Sequence, residues 1–275
     1  MFSIELKLPN LGDVRVEEVC LQSWGLFNSD GVMNISETIT DYKKLAPEHQ
    51  NQYLEQLLDF DRIIFPETCK QELSDFMHDP DAISVQVVEY FDGVRLIGYN
   101  TISILKLNIR DKSIFVVNSR GSFLPNYQRG NKTVNSVIKV AVQHSIKHPL
   151  IPLWFVLTMM QPKAYALLAS CAQNFYPRAD VETPQDYLDV LKLVAVRKAD
   201  VQKRREDIYV HPRVIPETTL DESIHIHEQA NQHIDFFMQH TPDFFDGMGM
   251  MCVSKLNTKM LTEAVILNAI ERAAS

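Results

Sequence analysis

The clearest pattern in the chain begins at Ile83, where ISVQVVEYFDGVRLIGYNTISILKL carries two runs rich in Val, Ile, Tyr, Phe and Thr on either side of Phe91-Asp92-Gly93. Asp-Gly between such runs is the strongest short signal for a β-hairpin. A third strand follows in SIFVVNSRGSFL. Beyond a polar turn, Val134, Val137, Ile138, Ala141, Ser145 and Ile146 recur at steps of three and four, which predicts an amphipathic helix ending before Pro149. PLWFVLTMM reads as the next strand, Pro162 opens a short helix over PKAYALLASC, and the apolar run Tyr187–Arg197 suits either strand or helix.

The first eighty residues are mainly helical in pattern. FSIELKL is a possible short strand, and in PEHQNQYLEQLLDF Pro47 suits a first helical turn while Tyr53, Leu54, Leu57 and Leu58 fall on one face. After about Asp200 the composition turns polar and then His-rich. One helix is expected near Glu222–His240 and another near Thr258–Ala274, with GMGMMCVSKL between them as a possible strand. Leu261, Val265, Ile266, Leu267, Ala269 and Ile270 give the last helix too much apolar surface to leave in water. The expected fold is therefore α/β, a central mixed sheet flanked by helices. Residues 1–200 form the domain, with its core over 83–197, and residues 201–275 form a mainly helical C-terminal extension packed on it. No internal repeat or low-complexity tract interrupts this order.

With 275 residues, 45% of them hydrophobic, the chain can bury a full core. A formal charge of -8 argues against a nucleic-acid partner, because phosphate-backbone affinity comes from clustered Lys and Arg. The run KADVQKRRED is basic only in its middle and reads as a solvated face or linker. Acids at Glu5, Asp13, Glu17 and Glu18 argue against a secretory signal, and no stretch approaches the ~18 apolar residues of a membrane span. A soluble, cytoplasmic protein without a membrane partner is expected. The four cysteines, Cys20, Cys69, Cys171 and Cys252, lie far apart and read as reduced thiols rather than a disulfide framework or zinc site.

The turn SFLPNYQRGNKTVN sits between a strand and a helix, an order that often binds phosphate. As a P-loop it fails: Asn126 and Asn131 stand where glycines are needed, and the next strand ends without an acid to hold magnesium. As an ordinary polar turn it would be capped by Asn131 or Thr133. The turn and the order of elements together resemble the GNAT superfamily of acyl-CoA-dependent N-acyltransferases. That family's pyrophosphate loop, [QR]xxGx[GA], falls on Gln128, Arg129, Gly130, Asn131, Lys132 and Thr133, preceded by Pro125 and Tyr127; Asn131 and Thr133 occupy the two small-residue positions. The similarity covers roughly 83–197.

The resemblance implies that an acyl-CoA, most simply acetyl-CoA, is the cosubstrate. Its pyrophosphate would be held by backbone amides of residues 128–133 and the helix N-terminus, with Phe123 and Leu124 leading into the loop and Arg129 or Lys132 adding an ionic contact. The implied reaction is acyl transfer to an amine on a small molecule or peptide, with no metal. The rivals are a non-catalytic binding module on the same fold and an acyl-homoserine-lactone-synthase-like transferase. Tyr165 is the residue the resemblance offers as general acid for the departing thiolate, although counting back from Asn174-Phe175 points to Ser170; the other reading of Tyr165 is a packing aromatic.

Other polar residues compete for roles. Glu89, Asp92, Asn118 and Ser119 lie where bases or water-holding groups occur in such folds, and each also suits a structural place. Cys171 is a nucleophile in principle, but on an apolar helix a buried thiol is the better reading. His225, His227, His233 and His240 lack the spacing of HExxH, since residues 225 and 227 would point about 200° apart on a helix. They read as packing or solvated residues rather than a zinc site.

Overall fold

The computed structural model describes residues 35–66, 68–127, 132–212 and 231–256. The expected strand FSIELKL, residues 128–131 of the polar turn, His225 and His227, and the helix Thr258–Ala274 lie outside these residues. The described chain opens on strand β1 (Ile35–Asp41), which the pattern did not announce. Helices α1 (Pro47–Ile64) and α2 (Lys70–Met77) follow, then strands β2 (Ala82–Asp92), β3 (Arg95–Ile109) and β4 (Lys112–Phe123). Helix α3 (Lys132–Lys147), strand β5 (Leu153–Met159), helix α4 (Pro162–Cys171), short strand β6 (Phe175–Tyr176) and helix α5 (Gln185–Ala195) come next. The last elements are β7 (Gln202–Arg205), β8 (Ile208–Pro212), α6 (Gln232–His240) and β9 (Met248–Leu256).

The strands form one sheet in the order β1-β2-β3-β4-β5-β9-β8-β7, with β6 pairing β9 at the side. Every pair is antiparallel except β4 with β5. The expected mixed α/β fold is the one found. The β2–β3 turn falls one residue later than the Asp-Gly signal suggests: Asp92 pairs with Arg95, and the two-residue loop is Gly93-Val94, with Gly93 at φ 60°. At the β3–β4 turn Arg110 and Asp111 both take left-handed backbone (φ 47° and 63°), the requirement of a tight hairpin whose twist matches its strands.

Helices cover both faces. On β4 the side chains alternate: Phe115 packs on His144 of α3 and on His148 just past its end, while Arg120 and Ser122 reach Asp61 of α1 on the other face. On β5, Trp154 meets Tyr187 of α5 edge-on, on the α1 side of the sheet. The main core joins Leu54, Leu57 and Leu58 of α1 to Val85, Ile102, Val116 and Trp154 of the sheet and to Val190 and Leu191 of α5. A second cluster unites α4, α6 and β9 around Tyr165, Phe237, Met250 and Cys252.

Beyond Asp200, where the pattern reads as mainly helix, the described residues supply three strands besides α6. KADVQKRRED is not a linker: its centre is β7, an exposed edge strand whose charges are paired, Lys203 with Glu206, Arg204 with Asp243 and Arg205 with Asp207. The possible strand GMGMMCVSKL is β9, wedged between β5 and β8 and buried over its first seven residues. Burial on both faces explains why it reads as a continuous apolar run rather than an alternation.

Candidate functional site

The parallel pair β4–β5 opens partway along its length. Registered partners are Phe115 with Leu153, Val116 with Trp154 and Val117 with Phe155, and pairing stops there although β4 continues to Phe123 and β5 to Met159. Phe115 N–H donates to Pro152 O at 2.9 Å, which fixes the odd-numbered residues of β4 as those whose backbone groups point toward β5. By the two-residue alternation, Ser119 and Gly121 turn their N–H and C=O toward the gap that β5 leaves.

A cavity of about 210 Å³ fills this opening, lined by Asn118 and Ser119 of β4, Phe155, Val156, Leu157 and Thr158 of β5, Thr133, Val134 and Val137 of α3, and Lys198. The first turn of α3 thus lines the cavity on one face of the sheet, and its N–H groups, which have no acceptor within the helix, favour an anion. Lys198, just beyond α5, also lines it.

Several contacts hold the start of α3 against the sheet. Asn100 of β3, 1% exposed, donates its side-chain amide to Thr133 O at 3.1 Å and to Ser136 Oγ at 2.8 Å. Gly121, registered opposite Asn100, leaves room for this approach: a Cβ there would lie 2.9 Å from Tyr99 O and 3.0 Å from Thr133 Cγ2. Tyr127 donates its hydroxyl to Asp92 at 2.7 Å, tying the last described residue before the loop to the end of β2.

The sequence candidates distribute unevenly. Thr133, Asn118 and Ser119 meet at the cavity. Phe123 and Leu124 are 9% exposed and belong to the core, Phe123 packing on Tyr90 with ring centroids 5.0 Å apart and Leu124 N–H donating to Ile97 O. Gln128, Arg129, Gly130 and Asn131 lie outside the described residues, as do the side chains of Lys132 and Cys171. Glu89 accepts a hydrogen bond from Thr38 on the neighbouring strand, and Asp92 serves Tyr127.

Tyr165 is not among the described residues lining the cavity. It is fully buried in the second core cluster, its ring lies near Phe175, Phe236 and Phe237, and its hydroxyl donates to Pro177 O at 2.9 Å. Burial pushes its pKa far up, so the phenol holds its proton. Ser170, the alternative by counting, lines a separate open cavity of about 400 Å³ with Arg178, Asp180, Asn231, Gln232 and His233. There Arg178 clamps Asp180 with two 2.7 Å hydrogen bonds, and burial lowers the pKa of His233.

Sequence reasoning missed Asn100, Gly121, Thr158 and Lys198. Asn100 carried a signal: a lone amide within YNTISILKL must find buried partners, and it finds them on α3. Among the described residues no group of three or more His, Cys, Asp or Glu is placed to hold a metal, and no helix is long and apolar enough to cross a membrane.

No protein-family model matches the chain, and no curated protein matches it in sequence. Solved structures do resemble it. An Enterococcus faecalis protein described as a probable N-acyltransferase aligns at 9% identity and TM-score 0.32, over 45% of this chain and 29% of its own. Arabidopsis thaliana NAA60, in complex with acetyl-CoA, aligns at 11% identity and TM-score 0.36, over 80% of this chain and 99% of its own. An acetyltransferase of the GNAT family from Streptococcus pneumoniae aligns at 9% identity and TM-score 0.34, over 80% and 100%. Likeness at these scores is loose, and the reading of the cavity rests on the chain's own strands and helices.

Proposed function

We propose that this protein transfers an acyl group, acetyl in the simplest case, from acyl-CoA to an amine. The observation that carries the reading is the opening of β4 from β5 beyond Val117 and Phe155, with the N-terminus of α3 lining the resulting cavity. A pantetheine arm is an extended chain with amide groups, and the exposed edge of β4 at Ser119 and Gly121 offers it the pairing that β5 does not. The pyrophosphate then reaches the first turn of α3 and residues 128–133, where backbone amides and the helix dipole receive it.

With the thioester in the gap, its carbonyl carbon faces an amine entering from the Lys198 side. Attack forms the C–N bond, collapse of the tetrahedral adduct breaks the C–S bond, the amine loses a proton and the thiolate gains one. The net change is thioester plus amine to amide plus CoA thiol. The Ser119 and Thr158 hydroxyls on the wall are groups able to donate a hydrogen bond to the departing sulfur. Holding both reactants in one narrow gap supplies much of the rate advantage through orientation.

The test has two stages. Ligand that binds only the folded state stabilises it by RT ln(1 + [L]/Kd), about 2.7 kcal/mol at 100 times Kd, so acetyl-CoA should raise the melting temperature. Release of CoA thiol with an amine panel then reports turnover. No thermal shift at millimolar acetyl-CoA defeats the reading, and a shift without turnover on any amine leaves a binding module in place of an enzyme.

A further inference from the structure

Beyond Val117 the last part of β4 keeps a strand partner on one edge only, β3, and Gly121 in its middle has no side chain with which to anchor itself. Glycine within a strand is the residue whose orientation packing controls least. Arg120 and Ser122, which flank it, turn their side chains to the α1 face, and both end on one carboxylate. Ser122 Oγ donates to Asp61 Oδ1 at 2.6 Å, and Arg120 Nη2 donates to Asp61 Oδ2 at 3.0 Å. Asp61 is fully buried and Ser122 is 5% exposed. The carboxylate sits on a firm base: Phe65 N–H donates to Asp61 O at 2.7 Å, Phe60 meets Tyr99 edge-on, and Leu57 and Leu58 belong to the main core. Glu72 of α2 also stands 3.9 Å from the Arg120 guanidinium, but its side chain is largely exposed, so solvent leaves it a minor partner.

We propose that Asp61 is a positioning residue for the cosubstrate: by holding Arg120 and Ser122 at once it fixes the pleat around Gly121 and so aims the backbone groups of Ser119 and Gly121 into the gap. This rests on the acyltransferase reading above and deepens it. Burying a carboxylate is costly unless it is paired and hydrogen-bonded, and apolar groups of like volume often hold a fold as well. What the ionic clamp adds is direction. Each carboxylate oxygen takes one donor, charge-assisted bonds are short and demanding in geometry, and a strand gripped at alternate residues loses its freedom to twist between them. Asn100 does the matching work on the opposite face by holding the start of α3, so the open edge of β4 is fixed from both faces of the sheet.

The experiment compares full-length wild type with Ser122→Ala, Ser122→Thr, Asp61→Asn and the double variant Asp61→Asn/Ser122→Ala. It reads the Kd for acetyl-CoA by isothermal titration, and kcat and KM with an amine that the wild type accepts. Amide exchange at Arg120 and Ser122 in the free protein reports the clamp itself. Ser122→Ala and Asp61→Asn should raise the Kd and KM for acetyl-CoA at least fivefold, with kcat at saturation within twofold, and should speed exchange at residues 120 and 122 at least tenfold. Ser122→Thr, which keeps the hydroxyl, should restore binding. The double variant should bind no more weakly than Asp61→Asn, because Ser122 acts through Asp61. Tyr165→Phe, which loses a buried hydrogen bond far from β4, shows what lost stability alone does and should leave the Kd for acetyl-CoA unchanged. Should Asp61→Asn not fold, Ser122→Ala against Ser122→Thr decides the matter. A Kd within twofold of wild type in Ser122→Ala overturns the assignment, as does an equal rise in Tyr165→Phe. Those results leave acyl transfer intact, whereas wild type that does not bind acetyl-CoA removes the acyltransferase reading and this assignment with it.

Discussion

Replacing Asn100 by alanine tests the link between the sheet and the start of α3. The substitution removes the amide donating to Thr133 O (3.1 Å) and Ser136 Oγ (2.8 Å) at a site 1% exposed. Two such bonds are worth about 1–3 kcal/mol together, and the gap left by the lost atoms adds to the cost. Against this, Asn100 Oδ1 has no hydrogen-bond partner in the structure, so its removal returns about 1 kcal/mol. A net loss near 2 kcal/mol should lower Tm by roughly 4–8 °C, from the usual 2–4 °C per kcal/mol in a chain of this size class. If the first turn of α3 receives the cosubstrate, its loosening should also weaken acetyl-CoA binding by about tenfold, equivalent to ~1.4 kcal/mol. Differential scanning fluorimetry and isothermal titration read the two effects separately. A lowered Tm with Kd within twofold of wild type would refute the placement of the ligand at α3, and an unchanged Tm would refute the role given to the Asn100 hydrogen bonds.

Four further outcomes follow. Tyr165→Phe leaves Pro177 O without its buried donor and should destabilise by about 1–3 kcal/mol with kcat within twofold of wild type; a ~100-fold fall in kcat at small stability cost would instead make Tyr165 the acid of the reaction. Gly121→Ala sets a Cβ 2.9 Å from a backbone oxygen, and overpacking of about 1–3 kcal/mol should push α3 outward and raise the KM for acetyl-CoA more than it changes kcat. His144, whose pKa burial and its neighbours His148 and Lys147 lower to about 4, binds a proton more readily in the unfolded chain, so stability should fall as pH drops from about 6.5 to 4. His144→Leu should flatten that window in pH-dependent urea melts, and an unchanged slope would contradict the burial. A chain ending at Asp200 loses β7, β8 and β9 and with them the antiparallel partner of β5, so it should show no cooperative melt; melting at the full-length temperature would mark the C-terminal region as a separate module.

The parts of the fold that were legible are those where local chemistry and tertiary structure agree. The β2–β3 hairpin follows from two β-rich runs around Asp-Gly, and α3 from a three-four periodicity. The ambiguous run at Tyr187 is helix because Tyr187, Val190, Leu191 and Val194 fall on one buried face. The charged strand β7 was unreadable because an edge strand exposes both faces and carries no alternation. At the site, the residues after a strand and before a helix could be read as a phosphate turn, but the opening between β4 and β5 is a property of two strands thirty-eight residues apart in register, and no local motif encodes it. Lys198 was read as part of a charge run because sequence cannot tell which side chain of such a run turns inward. Tyr165 shows the converse: the residue type and neighbourhood suit an acid, yet its helix points it at Pro177 and the aromatic cluster.

Amide hydrogen exchange with and without acetyl-CoA bears most directly on the central claim. Binding in the gap should slow exchange at Ser119 and Gly121 on the open edge of β4 and in the first turn of α3, while the β7–β8 edge is unaffected. Acetyl-CoA that leaves those amides unchanged, or protects instead the cavity of Arg178 and His233, would contradict the account.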